Sequence, residues 1–126
     1  MPPKPPSQRQ LRVGEEVRHI LASTLLRAES GDPLLDTASI SITEVRVSPD
    51  LHHATVYIMP LGGEKTPEIL AAFKDKAWYF RKAVAQNLQT RIAPRLVFQF
   101  DSSFDEARRI EALLSSPKVK RDIEDI

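Results

Sequence analysis

The chain has 126 residues, of which 41% are hydrophobic and 28% are charged, a composition typical of one soluble domain with a single core. It contains no cysteine, which excludes disulfides and thiolate metal sites and fits a reducing cytoplasm. The net charge is +1, but residues 29–68 carry seven acidic and two basic side chains, whereas residues 74–95 carry one acidic and six basic side chains.

The N-terminal part of the chain contains a tail and then a helix. Four prolines within residues 1–8 predict a disordered tail, since such a segment cannot bury apolar surface. Over residues 9–28, apolar residues recur at the spacing of an amphipathic helix, and Gly31, Asp32 and Pro33 then provide stop signals. We expect one folded domain at residues 9–115 and a flexible charged tail at residues 116–126.

Two strands follow as a predicted hairpin within residues 39–61. The alternation of apolar and polar residues changes parity near Glu44, which predicts a β-bulge in the first strand. A turn at residues 48–50 leads into the second strand, which alternates over residues 54–59.

A helical pattern extends over residues 67–90 and predicts either one helix or a helix broken in two. A third strand at residues 96–100 and a short C-terminal helix from Ser103 follow. The element order is therefore α-β-β-α-α-β followed by the short helix. This order predicts an α+β fold of the KH-like type II class, with the helices on one face of a three-stranded mixed sheet.

The helix around Trp78 has two chemically different faces at 100° per residue. One face is predicted to enter the core and contains Phe73, Ala77, Phe80, Val84, Leu88 and Arg91. The other face contains Lys74, Trp78, Arg81, Lys82, Ala85 and Gln89. Cations beside an aromatic ring can bind phosphates and stack an unpaired base. Two simpler interpretations stay open: Trp78 packs on the first helix or the tail, and the cations form a solvated face.

Three segments of the sequence resemble the ribosome-binding factor A family. They are residues 47–58, with the pattern V-S-x-D-L-x-x-A-x-V-Y, residues 91–101, with the pattern R-x-x-P-x-L-x-F-x-x-D, and residues 101–114. The tetrapeptide Arg12-Val13-Gly14-Glu15 near the start of the first helix adds to the match, which covers roughly residues 8–115.

The resemblance implies an assembly factor that binds the small (30S) ribosomal subunit and its 16S rRNA during late maturation and rRNA processing. Other assembly factors are expected to trigger its release. The family replaces the Gly-x-x-G loop of ordinary KH domains with a helix-kink-helix. The family kink often contains Ala-x-Gly, whereas this chain has Lys76-Ala77-Trp78, and we place the kink at Ala77.

The predicted RNA-binding residues combine the cationic helix face with other cations that can extend it: Arg9, Arg12, Lys74, Lys76, Trp78, Arg81, Lys82, Arg91 and Arg95. Arg18 is expected to form an ion pair with Glu15 instead. The alternative function is a non-catalytic adaptor that docks a basic protein partner through its acidic segment, residues 29–68.

Catalysis, metal binding and membrane insertion are not expected. The adjacent His52 and His53 would point to opposite sides of a strand, so they cannot easily share one metal ion. No nucleophile motif or phosphate-binding glycine loop is present, so we expect no enzyme and no cofactor. No segment approaches the roughly 20 apolar residues that cross a bilayer, and the proline-rich start does not read as a secretory signal. We expect a cytoplasmic monomer.

Overall fold

The computed structural model describes residues 4–62, 65–90 and 92–114, with the backbone alone for residues 104–108. The elements in chain order are α1 (Gln8–Leu26), α2 (Pro33–Thr37), β1 (Ile40–Val47), β2 (His53–Pro60), α3 (Pro67–Asp75), α4 (Ala77–Asn87), β3 (Arg95–Phe100) and α5 (Ser103–Leu114). Apart from the short α2, this is the predicted α-β-β-α-α-β order with a C-terminal helix.

The three strands form one mixed sheet in the order β1-β2-β3, as predicted. β1 and β2 are antiparallel, and β2 and β3 are parallel. The register of β1 shifts between Ile42 and Glu44, which confirms the predicted bulge. Because of this extra residue, Ile42 and Val47 both reach the core although their sequence positions have opposite parity.

The core lies between the sheet and the helices α1, α3 and α4. Ala54, Val56 and Ile58 of the central strand are almost completely buried, as are Phe73 and Phe80 on α3 and α4. The alternate side chains of β2 lie on the opposite, more exposed face of the sheet. The structure therefore confirms the α+β class with helices on one face of the sheet.

An aromatic cluster fastens α3 and α4 to β3. The ring centroids of Phe73 and Phe98 lie 4.8 Å apart, and those of Phe73 and Phe80 lie 5.4 Å apart. Phe80 and Phe98 complete the triangle at 5.8 Å. Since each element contributes one ring, this cluster sets the position of the helix pair relative to the sheet.

The start of α1 differs from the prediction. The helix begins at Gln8, inside the segment predicted as a tail, because Ser7 and Gln10 form a capping box. The backbone N–H of Gln10 donates to Ser7 Oγ at 3.1 Å, and the N–H of Ser7 donates to Gln10 Oε1 at 2.9 Å. The predicted tail segments 1–3 and 116–126 lie outside the described residues.

The short helix α2 was not predicted. Gly31, Asp32 and Pro33 were interpreted only as the end of the first helix, but Asp32 also caps α2, where its carboxylate accepts from the N–H of Leu34 at 2.9 Å. Pro33 occupies the first turn, where its missing N–H costs nothing. A helix of five residues is too short to show a helical period in the sequence.

Gly14 allows α1 to approach the edge strand β1 closely. A Cβ atom added to Gly14 would lie 2.6 Å from the carbonyl oxygen of Val45, a distance that real Cβ atoms do not reach. The obstacle is backbone, so it cannot move without displacing the strand. This contact explains the need for glycine within a helix, where it is otherwise unfavourable.

We expect Gly14→Ala to lower the free energy of unfolding by about 1 to 3 kcal/mol, because overpacking a tight helix–strand contact costs that much. The effect opposes alanine's better helix propensity, which by itself is worth about 1 kcal/mol. Chemical denaturation measures the difference, and Ser23→Ala at an exposed site of α1 is the control, with little change expected. A Gly14→Ala protein as stable as the parent would contradict the close contact.

Asp101 ties the end of β3 to two other elements. Its carboxylate accepts from Thr43 Oγ1 in the β1 bulge at 2.6 Å and from the N–H and Oγ of Ser103 at 2.8 and 2.6 Å. Its backbone N–H donates to the carbonyl of Ile58 at 2.8 Å. The hydrogen bonds from Ser103 and Thr43 hold the pKa of Asp101 below its ordinary value.

A lowered pKa in the folded state means that the ionised carboxylate stabilises the fold above the unfolded pKa, about 4, and that this stabilisation is lost as the pH falls through the folded pKa. We therefore expect Asp101→Asn to lower stability at pH 7 by about 1 to 3 kcal/mol. The difference from the parent should shrink on acidification below about pH 4. Urea unfolding of both proteins at several pH values measures it, and a pH-independent difference would contradict the assignment.

Candidate nucleic-acid interface

A break between α3 and α4 forms the centre of the candidate site. Lys76 joins the two helices with φ −98° and ψ 13°, and its N–H still donates to the carbonyl of Ala72 at 3.0 Å. Its own carbonyl accepts from the N–H groups of Tyr79 and Phe80 at 3.0 and 3.2 Å, which starts α4. Because φ is negative at Lys76, the break needs no glycine.

The helix-kink-helix is therefore present, but its position corrects the prediction by one residue. The irregular residue is Lys76, and Ala77 already belongs to the first turn of α4. The sequence offered no sign of this, since neither residue has a special backbone requirement.

The two predicted faces of α4 are both found in the structure. Phe80, Val84 and Leu88 are buried in the core. On the other side, Lys74, Trp78, Arg81 and Lys82 are all exposed. We call these four residues the basic face. Arg91, predicted on the buried side and also as an RNA contact, lies outside the described residues.

Trp78 is an exposed residue of the basic face. Its side chain remains 62% exposed, so it is not a core residue. Its ring meets Tyr79 edge-on, with the centroids 6.1 Å apart and the planes at 75°. Lys76 Nζ lies 6.0 Å from the ring centroid. This geometry leaves ring surface accessible to a ligand.

Lys76 is less available than the sequence suggested. It is only half-exposed, and its ammonium lies 3.5 Å from the position that a Cβ atom of Gly31 would take. Asp36 lies in the same region, and its pKa is lowered mainly by the hydrogen bond from Ser30, with a smaller contribution from the charge of Lys76. Lys76 therefore serves partly as a link between the helix break and the α1–α2 loop.

Arg9 and Arg12 lie on α1, outside the basic face. Both are exposed on α1, and the helical repeat puts them on the same side as Glu16. The carboxylate of Glu16 accepts from the backbone N–H of Gln89 at 3.2 Å, just beyond the end of α4. Gln89 directly follows the end of α4, so the two arginines lie on the side of α1 that meets the C-terminal end of α4.

Arg95 does not extend the basic face as the sequence had suggested. Leu96 is buried, and Phe98 packs on the aromatic rings of α3 and α4. The alternation of β3 therefore puts the exposed Arg95 on the face of the sheet away from the helices. Arg81 instead reaches the segment before β3, where its guanidinium donates to the carbonyl of Ala93 at 3.4 Å.

The acidic segment is occupied by local interactions. Asp32 caps α2, and Asp36 accepts from the N–H and Oγ of Ser30 at 3.0 and 2.6 Å. Asp50 accepts from Ser48 Oγ at 2.6 Å. Glu44 forms an ion pair with Arg46 at 3.1 Å. Outside the acidic segment, Glu15 forms the predicted ion pair with Arg18. Four of the seven acidic side chains of residues 29–68 are thus engaged in contacts within the chain.

Other kinds of site are not supported by the part of the chain that the structure describes. Within residues 4–62, 65–90 and 92–114, no three His, Asp or Glu side chains group to hold a metal ion. None of the helices in these ranges has the length and apolarity to cross a membrane.

Comparison with known proteins gives consistent results. The family model of ribosome-binding factor A matches residues 9–114. A ribosome-binding factor A of Paramagnetospirillum magneticum is 50% identical over 121 residues, which cover 96% of this chain and 85% of that protein.

Solved structures of similar fold include the crystal structure of ribosome-binding factor A from Thermus thermophilus. It has a TM-score of 0.60 at 23% identity and covers 71% of this chain and 93% of that one. A homology model of the Thermus thermophilus protein, fitted into a cryo-electron microscopy map of its 30S complex, has a TM-score of 0.57 at 22% identity, over 71% of this chain and 91% of that one.

Proposed function

Because the chain belongs to the ribosome-binding factor A family, we propose that it binds the small (30S) ribosomal subunit and its 16S rRNA and assists late maturation and rRNA processing. The observation that carries this proposal is the basic face, where three exposed cations, one before the helix break and two after it, accompany an exposed indole. The 30S complex of the Thermus thermophilus relative supports the choice of partner.

The basic face supplies the electrostatic part of the interaction. Lys74, Arg81 and Lys82 are exposed, and the structure gives none of them a carboxylate partner within salt-bridge distance among the described residues. Cations of this kind bind phosphates and release condensed counterions, so affinity depends on salt. Arg9 and Arg12 extend the same footprint along α1.

The effect on the ribosome would come from differential binding rather than from catalysis. A protein that binds one conformer of the rRNA more tightly shifts the population towards that conformer, by no more than the difference in affinity. Such a factor needs no nucleophile and no cofactor. It acts as a monomer in the cytoplasm, where small subunits mature.

Co-sedimentation with purified ribosomal subunits tests the proposal. The protein should pellet with small subunits at low salt, should be released as the salt concentration rises, and should not pellet with large subunits. Failure to bind small subunits, or equal binding to both subunits, would contradict the proposed function. Binding that is insensitive to salt would favour a protein-interaction adaptor.

A further inference from the structure

We propose that Trp78 is a stacking platform for one unpaired base of RNA, so that the element recognised by this chain includes a single-stranded nucleotide. This inference rests on the proposed function, since it takes RNA as the ligand. It goes further because it names the chemical form of the RNA that the site requires.

The first observation is the position of the indole. Trp78 is the single tryptophan of the chain, and it is exposed in the first turn of α4 rather than used in the core. Its neighbour Tyr79 contacts it edge-on, and Tyr79 in turn meets Phe80 edge-on with centroids 5.3 Å apart. Phe80 belongs to the buried aromatic cluster. The indole is thus exposed, and two edge-on ring contacts connect it through Tyr79 to the buried Phe80.

The second observation is the charge around the ring. Arg81 and Lys82 lie three and four residues after Trp78 on α4, the spacings at which helical side chains are neighbours, and Lys76 Nζ lies 6.0 Å from the ring centroid. The apolar groove between α3, α4 and β3 is lined by Leu70, Ala71, Lys74, Ala77, Leu96, Val97 and Phe98 and does not include the indole. An aromatic ring with cations beside it fits a nucleotide, because the ring can stack on the base while the cations bind the neighbouring phosphates.

The geometry of RNA explains why the base must be unpaired. In a duplex the base faces are covered by their neighbours, and a protein meets phosphates, hydroxyls and base edges. An exposed indole can stack only on a base that is free of its neighbours, in a loop, a bulge or a single strand. The site therefore distinguishes rRNA conformers in which this nucleotide is unpaired from those in which it is paired.

Intrinsic fluorescence is a direct test, because all tryptophan emission comes from Trp78. A short unstructured RNA oligonucleotide should quench the emission as it binds. The same oligonucleotide annealed to its complement should bind through phosphates with much weaker quenching. RNA that binds without changing the emission would overturn the proposal.

Substitution of the ring gives a second test, with small subunits as the ligand. Trp78→Ala should weaken binding by about 5- to 150-fold, the range for loss of one base stack, without changing the salt slope. Trp78→Phe should restore part of the affinity. Gln99→Ala, at an exposed position of β3 on the face of the sheet away from the helices, is the control and should bind like the parent.

The outcomes separate this inference from the proposed function. Suppose that Trp78→Ala binds small subunits like the parent, whereas the double variant Arg81→Ala, Lys82→Ala binds them more weakly. Trp78 is then not a stacking site, and the basic face remains the RNA-binding surface. If the parent binds neither RNA nor small subunits, both proposals are wrong. If Trp78→Ala loses both affinity and cooperative unfolding, Trp78 has a packing role, and the proposal that it stacks on a base is wrong.

Discussion

Replacing Phe73 by alanine is expected to lower the free energy of unfolding by about 3 to 5 kcal/mol, the cost of removing a buried phenyl ring. Phe73 has no exposed surface, and its ring contacts both Phe80 of α4 and Phe98 of β3. The substitution leaves a cavity where three elements meet. Since a small domain is stable by only about 5 to 15 kcal/mol, much of its stability would be lost.

Denaturant unfolding at neutral pH measures the effect. Leu26→Ala is the matched control, because this large apolar side chain is 86% exposed at the end of α1 and should contribute little. Similar losses for the two variants would mean that the core does not lie between the α3–α4 pair and β3. The Phe73→Ala protein should also lose affinity for small subunits, because the basic face depends on the position of these helices.

Replacing Arg81 and Lys82 together by alanine is expected to weaken binding to small subunits by roughly 30-fold at about 0.1 M salt. Each phosphate contact contributes about 0.7 to 0.9 of a decade of affinity at that concentration. The free energy of unfolding should change little, because both side chains are exposed and surface charges contribute little to stability.

The matched control removes two exposed cations that lie outside the basic face, Arg27 near the end of α1 and Arg109 on α5. This double variant has the same net charge as the first. If total charge alone determined binding, the two variants would be weakened equally. Greater weakening of the Arg81 and Lys82 variant is the expected result, since these two cations, unlike Arg27 and Arg109, lie on the same helix face as Trp78.

The sheet and the helix faces could be predicted because their periods are visible in the sequence. The parity change near Glu44 indicated the bulge, and the spacing from Phe73 to Leu88 indicated the buried side of α3 and α4. The same reasoning placed Trp78 and its neighbouring cations on the exposed side. Both features depend on residues that are close in the sequence, so their patterns can be recognised in a single sequence.

Some errors arose where the outcome depends on short segments or tertiary contacts, and two others could have been avoided from the sequence. Helix α2 is too short to have a period, and the position of Lys76 beside the α1–α2 loop joins residues about 40 positions apart in the sequence. The orientation of Arg95 was available from the alternation of β3, since Leu96 next to it points into the core. The capping box at Ser7 was also available, because serine followed three residues later by glutamine is a helix-start signal.

The salt dependence of binding to purified small subunits tests the basic face most directly. For the parent protein, the logarithm of the binding constant should fall steeply and linearly with the logarithm of the salt concentration. The variant with alanine at positions 81 and 82 should have a slope shallower by roughly 1.4 to 1.8, the value for two lost phosphate contacts. An unchanged affinity and slope in that variant would mean that the basic face of α4 is not the RNA-binding surface.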